Sequence, residues 1–315
     1  MMPLYHKAFE NITRNNNPVL STISARLIES GGKQIRPLMT LLCAAASGLK
    51  TSNDSSHPLY CTAAAIQLLH NSSLIHDDVV DNSSLRRGTP TINDSWGNKV
   101  AVLAGDYYLS VVMRTINRIN NPQLTETISL IVTEMAQGEL LQLQQTGNYH
   151  IDEETYLTII RKKTACFMEA SCLAGAIIAD ADQECRMALK NYGLNIGMAF
   201  QISDDILDLL PSQSTGKTQG NDLREHKTTL PVILALKSDD TDNKNKLISL
   251  LQIEEPTLND INTISTILNK LGAIDKARKI KTKYIDKALQ SITHLPENQY
   301  HNALTELAKK INSDT

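Results

Sequence analysis

Apolar residues recur along most of this chain at the spacing of an α-helix. Cys61, Ala64, Ala65 and Leu68, for example, fall along one side of a single predicted helix. Neither an alternating apolar and polar run nor an Asn-Gly hairpin interrupts this pattern. The chain is therefore predicted to be all-α, with short polar loops. The predicted helices are 4–14, 18–30, 37–48, 58–82, 92–119, 122–145, 153–181, 183–210, 228–237, 242–251, 258–271, 272–291 and 297–312.

The predicted loops do not divide the chain into separate domains. The longest loop, residues 211–229, is rich in Ser, Gln, Gly and Lys, but it is not a low-complexity linker. Residues 1–315 are therefore predicted to form one domain, a single large helical bundle.

Two of the predicted helices carry the same acidic pattern, Asp-Asp-x-x-Asp, at residues 77–81 and 204–208. Each residue turns a helix by about 100°, so the first and last positions of the pattern share one face. These positions are Asp77 and Asp81 in the first copy and Asp204 and Asp208 in the second. The second aspartates, Asp78 and Asp205, lie off that line and are candidates for a single or indirect ligand.

Carboxylates without a thiolate or imidazole at ligand spacing suit a hard ion, Mg²⁺ or alternatively Mn²⁺. Mg²⁺ often completes its shell with phosphate oxygens, so a diphosphate substrate is predicted. A single acidic stripe is usually a solvated helix face, but two copies beside apolar residues favour a shared metal site. The candidate metal ligands are Asp77, Asp78, Asp81, Asp204, Asp205 and Asp208.

Cationic residues supply the other half of a diphosphate site. Lys offers a point charge and Arg a planar fork for phosphate oxygens. Each cation taken singly is typical of a solvated surface, but their positions after glycine turns and beside the aspartates favour a joint role. The candidates are Lys33 and Arg36, the pair Arg86 and Arg87, and Lys163, Lys217 and Lys227.

Composition narrows the class of protein. The 41% hydrophobic content is enough for a folded core, and the net charge of −3 gives no reason to expect nucleic acid as a partner. The five cysteines form no CxxC pair, which predicts free, buried thiols in a reducing compartment. The first residues lack the apolar region of a signal peptide and no apolar run is long enough for a transmembrane helix, so a cytoplasmic protein is expected.

Several stretches resemble one enzyme family in order and spacing. They are GGKQIRP (31–37), HNSSLIHDDVVDNSSLRRGTPT (70–91), NKVAVLAGDYYLS (98–110), GELLQL (138–143), KTA (163–165), FQISDDILDLL (200–210) and GKTQGNDLREHKTTLP (216–231). The chain resembles the trans-type isoprenyl diphosphate synthases, in their long-chain polyprenyl branch. The resemblance implies an all-helical isoprenoid synthase fold around a central cavity, and a homodimer.

The resemblance also implies roles for individual residues. Those matching the isopentenyl diphosphate site are Lys33, Arg36, His70 and Arg87. Those matching the allylic diphosphate site are Arg86 and, through Mg²⁺, Asp77 and Asp81. Those matching the second metal-binding motif are Asp204 and Asp208. Those matching the lining of the allylic pocket are Lys163, Thr164, Gln201, Lys217 and Lys227. The implied catalytic residues are Asp77, Asp81, Asp204, Asp208, Lys163 and Gln201, with three Mg²⁺ ions when substrate is bound. His76 is expected only to pack or to form a hydrogen bond.

The implied reaction ionises an allylic diphosphate such as farnesyl diphosphate, and the double bond of isopentenyl diphosphate attacks the cation. Ser72 and Ser73 lie about 6 to 7.5 Å along the helix axis from Asp77, where the growing tail would pass. Both side chains are small, so a long tunnel is expected, with octaprenyl diphosphate for quinone side chains as the first prediction.

Two departures from the family pattern are visible: Gln34 stands where Arg is common, and His226 where Gly is usual. We expect them to affect substrate affinity more than chemistry. The alternatives are a geranylgeranyl or other shorter-chain synthase, a non-catalytic subunit of a heteromeric synthase, a class I terpene cyclase, and a helical scaffold. The second Asp-Asp-x-x-Asp and the segment 31–37 argue against a cyclase, and the retained aspartates argue against a non-catalytic subunit.

Overall fold

The computed structural model describes residues 1–29, 32–50, 52–86, 88–210 and 219–313. The protein is 77% helical with almost no sheet, which confirms the predicted all-α class. The helices are α1 Met2–Thr13, α2 Pro18–Glu29, α3 Ile35–Ala46, α4 Pro58–Val80, α5 Ile92–Trp96, α6 Asn98–Ile119, α7 Pro122–Gln145, α8 Glu153–Ile160, α9 Cys166–Ile178, α10 Gln183–Leu209, α11 Asn221–Arg224, α12 Leu230–Leu236, α13 Thr241–Leu251, α14 Leu258–Lys270, α15 Ala273–Ile292 and α16 Gln299–Ser313. A π-helical turn, Arg161–Ala165, joins α8 to α9, and strands β1 (Leu85–Arg86) and β2 (Thr89–Pro90) form a short hairpin.

The chain divides into two compact units. The first comprises Met1–Leu130, Ala170–Lys190 and His294–Leu304 and contains the first aspartate motif. The second comprises Ile131–Glu169, Asn191–Thr293 and Thr305–Thr315 and contains the second motif. That residues 1–315 act as one domain, with the two motifs facing one cavity, stays a prediction.

In the first unit, α4 packs against α1, α3 and α6. Gly105 of α6 lies at this contact, because the Ser72 hydroxyl donates to its carbonyl at 2.8 Å, and Ala101 and Ala104 on α6 are also small and buried. A Cβ at Gly105 would stand 2.2 Å from His76 Nε2, so the imidazole lies where a side chain on α6 would be. His76 also approaches the Val102 carbonyl at 3.3 Å.

In the second unit, α10 supplies one wall of a core that α12, α14 and α15 complete. The buried apolar residues that form this wall are Met198, Ile202, Ile206 and Leu209, which pack with Leu230, Val232, Ile233, Ile261, Ile264, Leu268, Ile274 and Ala277. The buried positions of α10 recur at helical spacing, and this leaves the side chains between them for the open face that bears the second motif.

Two predicted helices are interrupted. The helix predicted over 92–119 is broken at Gly97, whose φ of 81° few other residues adopt, and Thr91 caps the first piece. The helix predicted over 153–181 contains the π-helical turn and ends at Ile178. The hairpin and α11 were not predicted. The hairpin turns at Gly88 (φ 77°) and is too short to show an alternating pattern.

All five cysteines are free thiols, as predicted, but they are not all buried: Cys61 and Cys185 are partly exposed. In the part of the chain that the structure covers, we find no helix with the length and hydropathy needed to span a membrane.

Candidate active site

The first motif places its aspartates in two different environments. Asp77 and Asp81 are half-buried and continue a half-buried stripe of α4 that contains His70 and Ser73. Asp78, one residue on, is 4% exposed. The helical spacing that grouped Asp77 with Asp81 therefore also separates Asp78 from them.

Asp78 holds Arg86 on the hairpin. Arg86 Nη2 lies 2.7 Å and Nε 2.8 Å from the same oxygen, Asp78 Oδ1. The Asp78 side chain is nearly buried, whereas the Arg86 side chain is 39% exposed. The structure thus gives Asp78 and Arg86 a shared structural role, and their predicted roles toward metal and diphosphate stay predictions. Arg87 lies outside the described residues.

The segment before α3 carries the other predicted cations of this unit. Lys33 is exposed and Arg36 is half-buried in the first turn of α3. Gln34 has a φ of 45°, and its side-chain oxygen Oε1 accepts a 2.9 Å hydrogen bond from His6 Nε2. Gln34, which replaces the more common Arg, is therefore held by α1.

Ser72 and Ser73, the predicted chain-length residues, differ in their surroundings. Ser72 is 2% exposed, and its hydroxyl donates a 2.8 Å hydrogen bond to the Gly105 carbonyl. Ser73 is half-buried on the stripe of Asp77, and its hydroxyl donates to the His70 carbonyl at 2.9 Å. Ser72 is therefore part of the α4–α6 contact, whereas Ser73 belongs to the stripe of candidate site residues.

The second motif repeats the division seen in the first. Asp204 and Asp208 are half-buried on α10, and Asp205 is 4% exposed. The Asp205 carboxylate accepts a 2.6 Å hydrogen bond from the Tyr156 hydroxyl and a 2.8 Å hydrogen bond from Gln201 Nε2. Gln201 Oε1 in turn accepts from Thr164 Oγ1 at 2.7 Å. Asp205 is thus anchored in the fold, and its predicted contact with metal stays a prediction.

The π-helical turn places Lys163 and Thr164. A π turn adds a residue to the helix and so redirects the side chains that follow it. Lys163 Nζ lies 2.5 Å from Glu139 Oε2 and 3.3 Å from Gln142 Oε1 on α7. The helices approach closely because a Cβ at Gly138 would stand 2.8 Å from the Lys163 backbone nitrogen.

The segment after α10 folds back onto the second motif. The two carboxylate oxygens of Asp208 accept 3.1 Å hydrogen bonds from the backbone amides of Asn221 and Asp222. Lys227 forms an ion pair with Glu225. His226, between them, has a φ of 52°, and its Nδ1 lies 3.3 Å from the Tyr149 hydroxyl. This left-handed backbone explains why Gly is usual at this position. Lys217 lies outside the described residues.

Burial changes the acidity of this cluster. Burial first, and the neighbouring Asp204 and Asp208 charges second, raise the pKa of Asp205 to about 6, against the lowering effect of its hydrogen bonds. Burial likewise raises the pKa of Asp222 well above its ordinary value, with added repulsion from Asp205 and Asp208. Burial and the Asp205 charge keep the pKa of Tyr156 well above its ordinary value, so its hydroxyl remains a donor.

A cavity of about 130 Å³ in the second unit brings several predicted residues together: Lys163, Thr164, Gln201, Asp205 and Lys227. It is also lined by polar residues outside the predicted set, among them Gln142, Tyr156, Asp222, Thr228 and Thr229. Except for Tyr156, these lie within stretches that carried the family resemblance, which was the available signal. Over the described ranges, no group of three or more His, Cys, Asp or Glu side chains is arranged to hold a metal ion.

Comparison with known proteins decides the family. The sequence profile described as Polyprenyl synthetase matches residues 17–269. The chain belongs to the polyprenyl synthetase family. It is 36% identical over 306 residues to heptaprenyl diphosphate synthase component 2 of Bacillus subtilis, covering 97% of this chain and 85% of that protein. It is 37% identical to the all-trans-nonaprenyl-diphosphate synthase (geranyl-diphosphate specific) of Rhodobacter capsulatus, covering 92% and 88%.

Solved structures agree with this assignment to the polyprenyl synthetases. The crystal structure of a Caulobacter crescentus polyprenyl synthase complexed with calcium and isoprenyl diphosphate superposes with a TM-score of 0.91 at 32% identity, covering 99% of this chain and 94% of that one. Other relatives include an octaprenyl diphosphate synthase (31% identical) and a geranylgeranyl diphosphate synthase (32% identical). The protein is therefore a transferase, a trans-prenyltransferase that makes polyprenyl diphosphates, and its relatives differ in product length.

Proposed function

We propose that this polyprenyl synthetase adds isopentenyl diphosphate units, in a Mg²⁺-dependent reaction, to an allylic primer such as farnesyl diphosphate. Octaprenyl diphosphate, a precursor of quinone side chains, is the proposed product. The observation that carries the proposal is the repeated pair of half-buried aspartates, Asp77 with Asp81 and Asp204 with Asp208. A single acidic stripe would suit many proteins, but two such pairs suit a substrate whose diphosphate is held through metal ions.

The donor set fits Mg²⁺. Each pair offers carboxylate oxygens from one stripe of a helix, and Mg²⁺ is commonly bound by one or two carboxylates together with substrate phosphates and water. Asp77 with Asp81, and Asp204 with Asp208, would hold the ions, with three ions in the substrate complex. When bound, the ions neutralise the charge that develops on the departing diphosphate.

The remaining chemistry falls to the side chains of this chain. Arg86, Lys163 and Lys227 would bind the allylic diphosphate, and Lys33, Arg36 and His70 the isopentenyl diphosphate. The oxygens of Gln201 and Thr164 line the cavity and would point their dipoles at the allylic cation. The proton lost after condensation would pass to the released pyrophosphate, so no side-chain nucleophile is required.

The product length rests on the family resemblance and on the small side chains at positions 72 and 73. Relatives named for heptaprenyl, octaprenyl, nonaprenyl and geranylgeranyl products match at similar identity, so a shorter or longer chain is the second candidate. A homodimer is proposed, and the relative named as a component 2 makes a heteromeric synthase the alternative assembly.

The test is to incubate the purified chain with Mg²⁺, farnesyl diphosphate and labelled isopentenyl diphosphate, and to chromatograph the dephosphorylated products. A product of eight isoprene units that disappears with EDTA supports the proposal. A product of another length overturns the octaprenyl assignment alone, and a cyclic hydrocarbon made from farnesyl diphosphate alone points to a cyclase. If the isolated chain adds isopentenyl diphosphate to no allylic primer, the proposal that this chain is active alone is overturned. Light scattering on the same sample separates a monomer from a dimer.

The role of the aspartates is tested in the same assay. Asp77→Asn and Asp204→Asn should each lower kcat about a hundredfold or more, because each removes a charged ligand from the proposed diphosphate site. The matched control is Asp286→Asn, on the exposed face of α15, which should leave kcat unchanged. Equal activity of all three variants contradicts the assignment of the motifs.

A further inference from the structure

Tyr156 has no role in the proposed reaction, yet its hydroxyl is hydrogen-bonded to Asp205 of the second motif. The residue is 3% exposed in α8, and its hydroxyl donates to Asp205 Oδ2 at 2.6 Å. It also lines the cavity that contains Lys163, Thr164 and Gln201. No other donor to Asp205 Oδ2 is found among the contacts of the described residues.

The hydrogen bonds from Tyr156 to Thr164 run in one direction. An ionised carboxylate only accepts, so Asp205 Oδ1 takes the amino end of the Gln201 amide, at 2.8 Å. The amide oxygen of Gln201 therefore faces Thr164, whose hydroxyl donates to it at 2.7 Å. An amide has nearly the same shape in both orientations. The acceptor at position 205 therefore decides which end of Gln201 meets Thr164.

The orientation matters because the two ends of an amide have opposite dipoles. A carbonyl oxygen in the cavity stabilises a positive charge that develops on the substrate, whereas an amino group in the same place repels it. The Asp205 carboxylate can fix the amide only if its own torsion is fixed. Gln201 holds one of its oxygens, and the Tyr156 hydroxyl holds the other.

We propose that Tyr156 is a positioning residue for prenyl transfer: through Asp205 it fixes the Gln201 amide with its oxygen, not its nitrogen, toward Thr164 and the reacting cation. The inference rests on the proposed function of Gln201 in stabilising that cation. Tyr156 itself need not touch substrate, and its hydroxyl donates to Asp205, which is not one of the proposed metal ligands Asp204 and Asp208. Its effect should therefore fall on turnover and not on the binding of diphosphate or Mg²⁺.

The test uses Tyr156→Phe, which removes the hydroxyl and keeps the ring. Its kcat should fall about tenfold, less than the loss expected when a charge-stabilising group is removed directly. The KM values for both diphosphates and the Mg²⁺ concentration for half-maximal activity should stay within about twofold of wild type. The matched control is Tyr284→Phe, a partly exposed tyrosine of the same unit, which should leave kcat unchanged.

A double-mutant cycle separates positioning from a general loss of stability. In a Gln201→Leu background there is no amide to orient, so Tyr156→Phe should cause no further loss of kcat. Additive losses would overturn the inference, as would a wild-type kcat for Tyr156→Phe alone. Recovery of kcat at high Mg²⁺ would also overturn it, because that result assigns the effect to the metal site.

A second readout does not depend on activity. In protein labelled with ¹⁵N-glutamine, the side-chain amide signal that disappears in Gln201→Leu identifies Gln201. It should be a sharp, slowly exchanging pair in the wild type and should broaden or shift in Tyr156→Phe but not in Tyr284→Phe. An unchanged signal overturns the positioning role even if the wild-type chain is an active synthase. Conversely, an inactive wild-type chain would count against the proposed function, while the signal would still decide whether Tyr156 orients the amide.

Discussion

Gly197 of α10 lies directly against the backbone of Ala165 in the π-helical turn. A Cβ at position 197 would stand 2.5 Å from Ala165 Cα, a distance that real Cβ atoms essentially never show. Gln201 follows Gly197 by one helical turn on the same side of α10, and Thr164 precedes Ala165 in the chain. The missing side chain at position 197 thus sets the separation at which Thr164 and Gln201 meet.

We expect Gly197→Ala to destabilise the protein and to slow the reaction. The neighbouring atoms are the Cα, Cβ and carbonyl oxygen of Ala165, none of which can rotate away, so overpacking should cost about 1–3 kcal/mol of unfolding free energy. If the added methyl group pushes α10 away from the π-helical turn, the Thr164–Gln201 hydrogen bond should lengthen and kcat should fall. Urea denaturation and steady-state kinetics measure the two effects. Asn191→Ala, on the exposed side of the same helix, is the control and should change neither by much. Full stability and full kcat in Gly197→Ala would contradict the packing argument.

The two serines before the first motif should respond differently to enlargement. Ser73→Phe places a ring on the stripe of Asp77, so the proposed synthase should release shorter products with a nearly normal melting temperature. Ser72→Phe forces a ring against Gly105 and removes the additional hydrogen bond from the Ser72 hydroxyl to that carbonyl, which should cost at least about 1–3 kcal/mol. Product chromatography and thermal unfolding distinguish the two. An unchanged product spectrum in both variants would eliminate the tunnel hypothesis.

The ion pair between Asp78 and Arg86 should show strong coupling. Arg86→Met leaves a buried carboxylate without its counter-charge and should destabilise by about 1–3 kcal/mol, less than for a fully buried pair because Arg86 is partly exposed. Asp78→Asn with Arg86→Met removes both charges, and the double variant should be more stable than Arg86→Met alone. Chemical denaturation of the wild type, both single variants and the double variant measures the coupling free energy. If the unfolding free energies lost in the two single variants add up to the loss in the double variant, the ion pair contributes nothing to stability.

The left-handed backbone at His226 can be tested with two small residues. Both His226→Ala and His226→Gly lose the contact with Tyr149, but only Ala retains a Cβ at a φ of 52°. We therefore expect the Gly variant to be more stable than the Ala variant by about 1 kcal/mol, measured by urea denaturation. Equal stabilities would show that the segment relaxes to another conformation.

Much of this fold could be predicted because helical periodicity persists through nearly every element. What the periodicity missed were local interruptions. A π turn at 161–165 adds one residue without altering composition, and Gly97 breaks a helix through its φ, which an isolated glycine does not reveal. The two-residue strands of the hairpin are shorter than any alternation that a sequence can display.

Only the part of the candidate site that lies along single helices could be predicted from the sequence. Spacing along one helix grouped Asp77 with Asp81 and Asp204 with Asp208. The partners of Asp78 and Asp205 come from other elements, since Arg86 lies on the hairpin and Tyr156 on α8. Contacts between elements distant along the chain do not appear in a local pattern, so no feature of the sequence marks Tyr156 as a partner of the second motif.

The second aspartate of each motif has a consequence for how such sequences diverge. Asp78 forms an ion pair with Arg86, and Asp205 accepts a hydrogen bond from Tyr156, so the effect of a change at position 78 or 205 depends on the residue that its partner is. A change at Asp77 or Asp204 would remove a ligand of the metal-bound diphosphate in the proposed chemistry, and this loss should be selected against whatever the neighbouring residues are. Across descendants of this gene, positions 78 and 86 should therefore covary, as should 205 and 156, while the outer aspartates stay fixed. Within one Asp-Asp-x-x-Asp motif, the second aspartate should therefore be replaced more often than the first and the last.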